Sequence, residues 1–525
     1  MAAVETASSA STSPSSSPVK NPLMRGVVAA GHPLTAEAGA GVLREGGNAV
    51  DAAVCAVLAS FAVESPLTGF GAGGHMMVHQ GGETTLVDFF VAAPGLDEID
   101  RATELVPVPV RFDAETTQTF FVGPASCGVP GTAAGLAHAL ERFGTLPLPD
   151  LVGPGIRHAR EGAPVNHGQA YILDILAPIH ERMAGTRELY APEGRHLTEG
   201  EIFRFPELAV ALERYAEEGP DLFYKGEVAT AISDFVVRHG GIVGPGDLAS
   251  YAAIERKPID APFRGTEVLT NPPPSSGGIL ISYCLGLLER LGPRSGPEQL
   301  VAAMESANSR RDLAFAESLY EEGMAIGFLD PAGLDLAAAD LLGSTTHISV
   351  LDADGNCATV TCSNGSGSGV LVPGTGVILN NMLGEEDLNP AGFHLIGPGR
   401  RVPSMMAPTV VLRDGEIVLA LGSAGSNRIR SAILQTVVRV VEQGFPVAAA
   451  IEAPRLHFEA GIVQAEKGVD PDALSRLESR GCRVARWPSV NLFFGGVQGV
   501  ARDPATGELS GGGDPRRGGA VAYAD

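Results

Sequence analysis

Apolar residues first recur at helical spacing over residues 34–47, where LTAEAGAGVLREGG predicts a helix that stops at Gly46-Gly47. A second helix follows over 48–63, NAVDAAVCAVLASFAV, with Asn48 as its N-cap. Its run Ala52 to Val63 is apolar except for Ser60, which is the length of a buried helix and too short to span a bilayer. After a glycine-rich stretch at 69–74, the alternation in HMMVHQ predicts a strand. Residues 131–320 read as mainly helical, with amphipathic stretches at 131–144 and 206–218 and Pro/Gly turns such as 271–278. From Thr345 the pattern shortens to β-branched runs. Residues 346–351 and 358–361 flank the turn 352–356, and residues 408–412 and 416–421 flank Arg413-Asp414-Gly415, giving two hairpins. A Gly/Ser loop at 422–427 then enters a helix over Ile429 to Gln443. Helices mixed with antiparallel strands, and a strand-rich final third, predict a layered α+β fold.

Composition narrows the class. The 525 residues carry 37 basic and 61 acidic side chains, a net charge of −24. That excludes partners that need a basic footprint, nucleic acid and anionic membrane among them. Glycine is 67 residues without a three-residue period, so the surplus belongs to tight turns and close backbone approaches and not to collagen. Six cysteines (Cys55, Cys127, Cys284, Cys357, Cys362 and Cys482) form no CxxC pair, which predicts free buried thiols and no zinc knuckle. Residues 1–22 are Ser/Ala/Thr-rich with neither a basic n-region nor an apolar h-region. They read as a disordered tail, and a cytoplasmic location is expected.

Local signatures do not by themselves name a reaction. HExxH, the Walker A loop and G-x-S-x-G are absent. Gly69 to Gly74 fits G-x-G-x-x-G, but in the order helix, glycines, strand. Phosphate cradling needs strand, glycines, helix, so these glycines read as close-packing turn residues. The acidic run Glu385-Glu386-Asp387 alone reads as a solvated turn.

A longer constellation is more specific. Thr345 to Asn356 reads T-T-H-x-S-V-x-D-x-D-G-N, followed by Leu379-Asn380-Asn381, P-S-M-M-A-P-T at 403–409 and G-S-A-G-S-N-R-I at 422–429. Upstream lie GGNAVDAAV at 46–54, the glycine loop, Val129-Pro130-Gly131 and Gly144-Thr145-Leu146-Pro147. In this order the motifs resemble the γ-glutamyltransferase (γ-glutamyltranspeptidase) family of N-terminal-nucleophile hydrolases, across about residues 25 to 520.

The resemblance implies a four-layer αββα sandwich made as one inactive chain. That chain would cut itself between Ser344 and Thr345 into a large piece, 23–344 beyond the tail, and a small piece, 345–525. The two would form one interlocked globular domain, a heterodimer of the chain's own fragments. Cutting turns the Thr345 amide nitrogen into an α-amine with a reference pKa of about 7.7–8, a usable base for its own hydroxyl. One residue then supplies nucleophile and base, and the acyl group passes through Thr345 Oγ1 to water or an amine acceptor. By the same resemblance Gly425 and Ser426 supply the backbone oxyanion donors. Ser stands there in place of a family Gly, which is tolerable if its φ stays negative. Ser363 matches the hydroxyl beside the nucleophile, Asn364 a substrate-contacting Asn, and Ser404 the first of two serines at the γ-glutamyl group. The second of those serines is replaced by Met405. Neither cofactor nor metal is expected.

Two departures bear on substrate. The family's D-F-R-E-x-A-P becomes Asp88-Phe89-Phe90-Val91-Ala92-Ala93-Pro94, with Phe90 where an Arg grips the α-carboxylate. A phenyl ring cannot replace that bidentate contact. The family's Asp-Asp after L-N-N has no match in register, leaving Glu385 as the nearest partner for an α-amine. Arg400 or Arg401 is a candidate displaced carboxylate partner. Three readings stay open. One is a γ-glutamyl hydrolase/transferase acting on small amides such as glutathione; a second is an amidohydrolase of the cephalosporin-acylase or oxamate-amidohydrolase kind. The third is an uncleaved, non-enzymatic scaffold.

Overall fold

Alternation of apolar side chains along the strands of the two large sheets feeds three separate cores among the described residues, and this is what builds the layers. The computed structural model describes residues 24–99, 104–111, 117–329 and 345–525; the tail 1–22 and Ser344 lie outside them. The strands of the two large sheets are β1 (Gly26–Ala30), β2 (Gly73–Gln80), β3 (Glu83–Phe89), β4 (Ile254–Arg256), β5 (Ile259–Phe263) and β6 (Thr266–Thr270). After the candidate cleavage point come β7 (Thr346–Asp352), β8 (Cys357–Ser363), β9 (Thr409–Arg413), β10 (Glu416–Ala424), β11 (Gly496–Arg502), β12 (Leu509–Gly513) and β13 (Ala520–Ala524). One sheet runs β13-β1-β7-β8-β2-β3-β4 and the other β12-β11-β10-β9-β6-β5. Every neighbouring pair in both is antiparallel.

Successive residues face opposite cores, as the period of two requires. Val27, Ala29, Leu351, Val410, Ala420 and Val500 meet between the sheets. Their neighbours Val28 and Val350 face outward into a core shared with α1 (Pro33–Arg44) and α2 (Ala49–Val63). On the far side Val411 and Leu419 pack with α3 (Ser276–Leu291) and α4 (Arg428–Val437). The result is the αββα sandwich that the resemblance implied.

The predicted helix pair is present. Asn48 caps α2 by accepting from Val50 N (2.9 Å) and Asp51 N (3.0 Å), and all fifteen residues of the helix are buried. Asp51 also accepts from Thr145 N (2.9 Å) and Leu146 N (3.1 Å), which ties the G-T-L-P turn to the helix start. Both predicted hairpins form, as β7–β8 and β9–β10. The glycine loop is a close-packing device: a Cβ on Gly71 would sit 2.0 Å from the Ile378 carbonyl oxygen, and one on Gly74 2.4 Å from that of Thr361. All six cysteines are free. Among the described residues no helix is long and apolar enough to cross a membrane.

The stretch 131–320 is mainly helical as expected, but its strands were not foreseen and one helix further on needs correcting. The stretch 131–320 also contains β5 and β6, whose turn places Arg264 and Gly265 at φ 48° and 74°. Ile259, Ala261 and Phe263 do alternate with exposed partners, but five residues with a Pro among them are a weak strand signal. The helix expected through Gln443 is α-helical only to Val437 and continues as one π-turn over Val438–Glu442.

Beneath β11 and β12 lies a fully buried charge network. Asp514 pairs with Arg455 (2.7 Å) and Arg516 (3.1 Å), and Arg516 also reaches Glu466 (2.5 Å). Removing one member leaves desolvated charge without its partner. Asp514→Ala should therefore destabilise the fold by about 3–5 kcal/mol, read as a lowered urea midpoint; an unchanged midpoint refutes this.

Candidate active site

The register of one strand pair assembles the centre of the site. Thr346 lies opposite Cys362, so Thr345, one residue before β7, falls beside Ser363 at the end of β8. Thr345 Oγ1 donates to Ser363 Oγ at 3.3 Å, and that same oxygen accepts from Gly365 N at 2.9 Å. Thr345 is only 5% exposed. It opens onto a cleft lined by Ser363, Gly365, Glu385, Asp387, Ser404 and Ser426 on the polar side. Phe90, Met382, Leu388, Met405, Met406 and Ile429 form the apolar side. The interior space is about 30 Å³, room for about one water. An acyl chain can enter only if the wall shifts, and unbranched methionines are the side chains best suited to repacking.

Of the sequence-derived candidates, Thr345, Ser363, Glu385, Ser404 and Ser426 line this cleft. Asn364 does not. Its side chain is fully buried without a hydrogen-bond partner among the described residues, and Gly365 takes the place at the cleft. Gly425 stands one residue behind Ser426 with φ 114°. Ser426 corrects an expectation: its φ is +50°, not negative. A non-glycine residue in this region costs of order 1–2 kcal/mol. Its side chain is held there, since Ser426 Oγ donates to Asp387 Oδ2 at 2.7 Å. Asp387 was not singled out in the sequence, where it reads as one acid in a solvated turn.

The possible carboxylate partners are occupied elsewhere. Arg401 Nε lies 3.3 Å from Asp88 Oδ1, and its guanidinium covers the Tyr251 ring at 4.4 Å. Arg256 holds the other oxygen of Asp88 at 2.7 Å. Arg400 lies over Tyr320 at 4.8 Å. Phe90 stacks on His75 with ring centroids 5.4 Å apart. No basic side chain lines the cleft among the described residues.

On the inner side of Thr345 is a second small cavity, bordered by Thr346, Glu64 and Arg517. Glu64 accepts from Thr346 Oγ1 (2.5 Å) and Thr35 Oγ1 (2.8 Å), and burial pushes its carboxyl above the usual range. Burial also pulls the Arg517 guanidinium down to about 10. A single Glu closing a twelve-residue apolar run was the available signal for Glu64.

With this geometry in place, the comparison with known proteins becomes specific. The sequence pattern of the gamma-glutamyltranspeptidase family matches residues 35–524. The chain belongs to that family. It is 34% identical to the glutathione hydrolase proenzyme of Escherichia coli (strain K12), over 94% of this chain and 90% of the relative. It is 33% identical to the acylase ACY 1 proenzyme of Pseudomonas sp. (strain SE83), over 93% and 91%. The crystal structure of cephalosporin acylase from Bacillus halodurans superposes with a TM-score of 0.80 at 27% identity, covering 98% of this chain and 99% of that one. Membership of the gamma-glutamyltranspeptidase family makes this chain an N-terminal-nucleophile hydrolase/transferase.

The acids of the cleft carry a pH signature. Burial, with Asp387 next, pushes the Glu385 carboxyl up to about 8. A carboxyl whose folded pKa lies above its unfolded value adds stability that is full below the unfolded pKa and is lost as pH rises through the folded one. Glu385→Gln removes that titration. Between pH 5 and 9 the melting temperature of the variant should therefore gain on the wild type as pH rises, in parallel thermal scans. A constant offset refutes this.

Proposed function

We propose that the chain cuts itself at Ser344–Thr345 and then hydrolyses or transfers the acyl group of γ-glutamyl amides such as glutathione, through an acyl-Thr345 ester. The observation that carries this reading is Thr345 at the head of a buried strand, its hydroxyl on Ser363, facing a cleft that Ser404 and Ser426 also line. In the intact chain the Thr345 nitrogen is an amide with no proton-accepting lone pair to offer. Once freed, the amine takes the Oγ1 proton as the oxygen attacks the substrate carbonyl. Ser363 Oγ fixes the hydroxyl meanwhile. Backbone N–H groups of Gly425 and Ser426 receive the oxyanion, a role whose donors lose about 10²–10³ in kcat when removed. The proton passes to the leaving amine, and water or a second amine then takes the acyl group from Thr345. Glu385 is the carboxyl group nearest to hand for a substrate amine, and Ser404 a donor for the acyl chain.

A second reading has its own support. The cleft presents Phe90 and Met405 where a carboxylate would need a cation and a hydroxyl, and Arg400 and Arg401 are engaged elsewhere. That favours an acyl group lacking the α-carboxylate, as would suit an acylase.

Denaturing mass spectrometry of the wild type should give two fragments, the smaller starting at Thr345. Thr345→Ala should remain whole and lose turnover by at least about 10³-fold. An intact wild type, or an active alanine variant, removes the assignment. A hydrolysis panel of γ-glutamyl-p-nitroanilide, glutathione and acylated β-lactams then decides the substrate. Preference for a non-glutamyl amide selects the second reading.

A further inference from the structure

Ser426 is an anomaly that the family chemistry does not explain. It lines the cleft beside Thr345, yet holds φ +50° without being glycine. Side chains with a Cβ are disfavoured there unless surrounding structure imposes the conformation. Around it Gly425 turns at φ 114°, Arg428 N and Ile429 N return to the Gly425 and Ser426 carbonyls at 3.1 and 2.9 Å, and α4 begins two residues later at Arg428. A side-chain contact that can hold this conformation is the 2.7 Å bond from Ser426 Oγ to Asp387 Oδ2.

The acceptor is well anchored. Asp387 follows the turn Met382–Gly384, and Asn389 Nδ2 donates to the carbonyls of Met382 (2.9 Å) and Glu385 (2.8 Å). Glu385 in turn accepts from Ser366 N at 2.9 Å, and Leu388 N returns to the Glu385 carbonyl at 3.1 Å. The segment is thus tied to the strand-end loop that carries Gly365, a wall of the same cleft.

We propose that Asp387 is a positioning residue: through its bond to the Ser426 hydroxyl it holds residue 426 in the left-handed conformation that aims the backbone N–H at the oxyanion. The proposal rests on the reading of Gly425 and Ser426 as oxyanion donors. Arg311 and Arg428 oppose the charge of Asp387, while Glu459 adds to it. The clamp asks of Asp387 only an acceptor atom at a fixed place. An uncharged acceptor of the same shape keeps the clamp. Glycine at 426 makes it unnecessary, because glycine enters positive φ without a Cβ penalty.

The test is a kinetic and structural cycle on the self-cut enzyme with γ-glutamyl-p-nitroanilide, or with whichever amide of the panel the wild type prefers. Asp387→Ala should lower kcat by about 10–100-fold with KM within about twofold, a fraction of the loss from deleting a donor outright. Asp387→Asn should stay at least about tenfold above Asp387→Ala. Adding Ser426→Gly to Asp387→Ala should recover at least about tenfold in kcat. Crystal structures should show residue 426 leaving positive φ in Asp387→Ala only. The proposal is overturned if Asp387→Ala keeps its kcat, if Ser426→Gly fails to rescue it, or if φ at 426 is unchanged in that variant. Should the wild type turn over none of the amides, the functional reading fails, and the φ at 426 in Asp387→Ala still decides the clamp.

Discussion

The site depends on the register between Thr346–Asp352 and Cys357–Ser363. A slip of one residue would carry Thr345 away from Ser363 and turn every side chain of the strand to the opposite core. His347 is what resists that slip. Its Nδ1 meets Thr361 Oγ1 at 2.8 Å, and its Nε2 meets Ser349 Oγ and Thr359 Oγ1, each at 2.9 Å. Burial pulls its imidazole down to about 3, so it stays neutral and serves as a bridge rather than a base. Gly422 of the facing sheet makes room for the ring, since a Cβ there would come within 2.2 Å of it. Within Thr345-Thr346-His347, the first residue is thus placed at the cleft beside Ser363, the second is tied to Glu64, and the third bridges the strands that place them.

Buried charge explains the polarity of the cleft. Each buried ion needs a partner to offset its desolvation, and Asp88 takes Arg256 and Arg401 for that purpose, with His75 at 3.5 Å. Arg401 is therefore spent on Asp88 of β3 and on the Ala252 carbonyl. Phe90, two residues beyond Asp88, covers His75 and offers the cleft only a ring face or edge. The loss of a cation at position 90 is not made good by either neighbouring arginine. The acids Glu385 and Asp387 remain as the charged groups of the wall, raised by burial toward their neutral forms.

Much of this was legible in the residues. Asn48 and the two hairpins could be read directly, because short-range periodicity and turn chemistry act locally, while the αββα layers and the choice of Thr345 came from the family resemblance that the ordered motifs carry. What was not legible depends on contacts between distant segments. Asp387 looks like a turn acid until the loop at 422–427 folds over it, and Ser426 could be given a φ only once that contact existed. Arg401 looked available because its partner lies 313 residues away. Asn364 sits next to Ser363 in sequence but points into the core, a difference of one residue that alternation alone could have suggested. The β5–β6 hairpin was hidden by its shortness and by Pro262.

The topology also bears on what cutting before Thr345 would do. Neither sheet belongs to one piece. In the first, β1 from the upstream segment lies between β13 and β7 from the downstream one, and β8 pairs with β2. In the second, upstream β6 pairs with downstream β9. Separating residues before 345 from those after it would break all four of these ladders and open all three cores. A cut before Thr345 would break none of them. Under the proposed self-cleavage both sheets would have to form first, since the strand register is what brings Thr345 to Ser363. The cut would then turn the Thr345 nitrogen from amide to amine and leave each of these ladders in place.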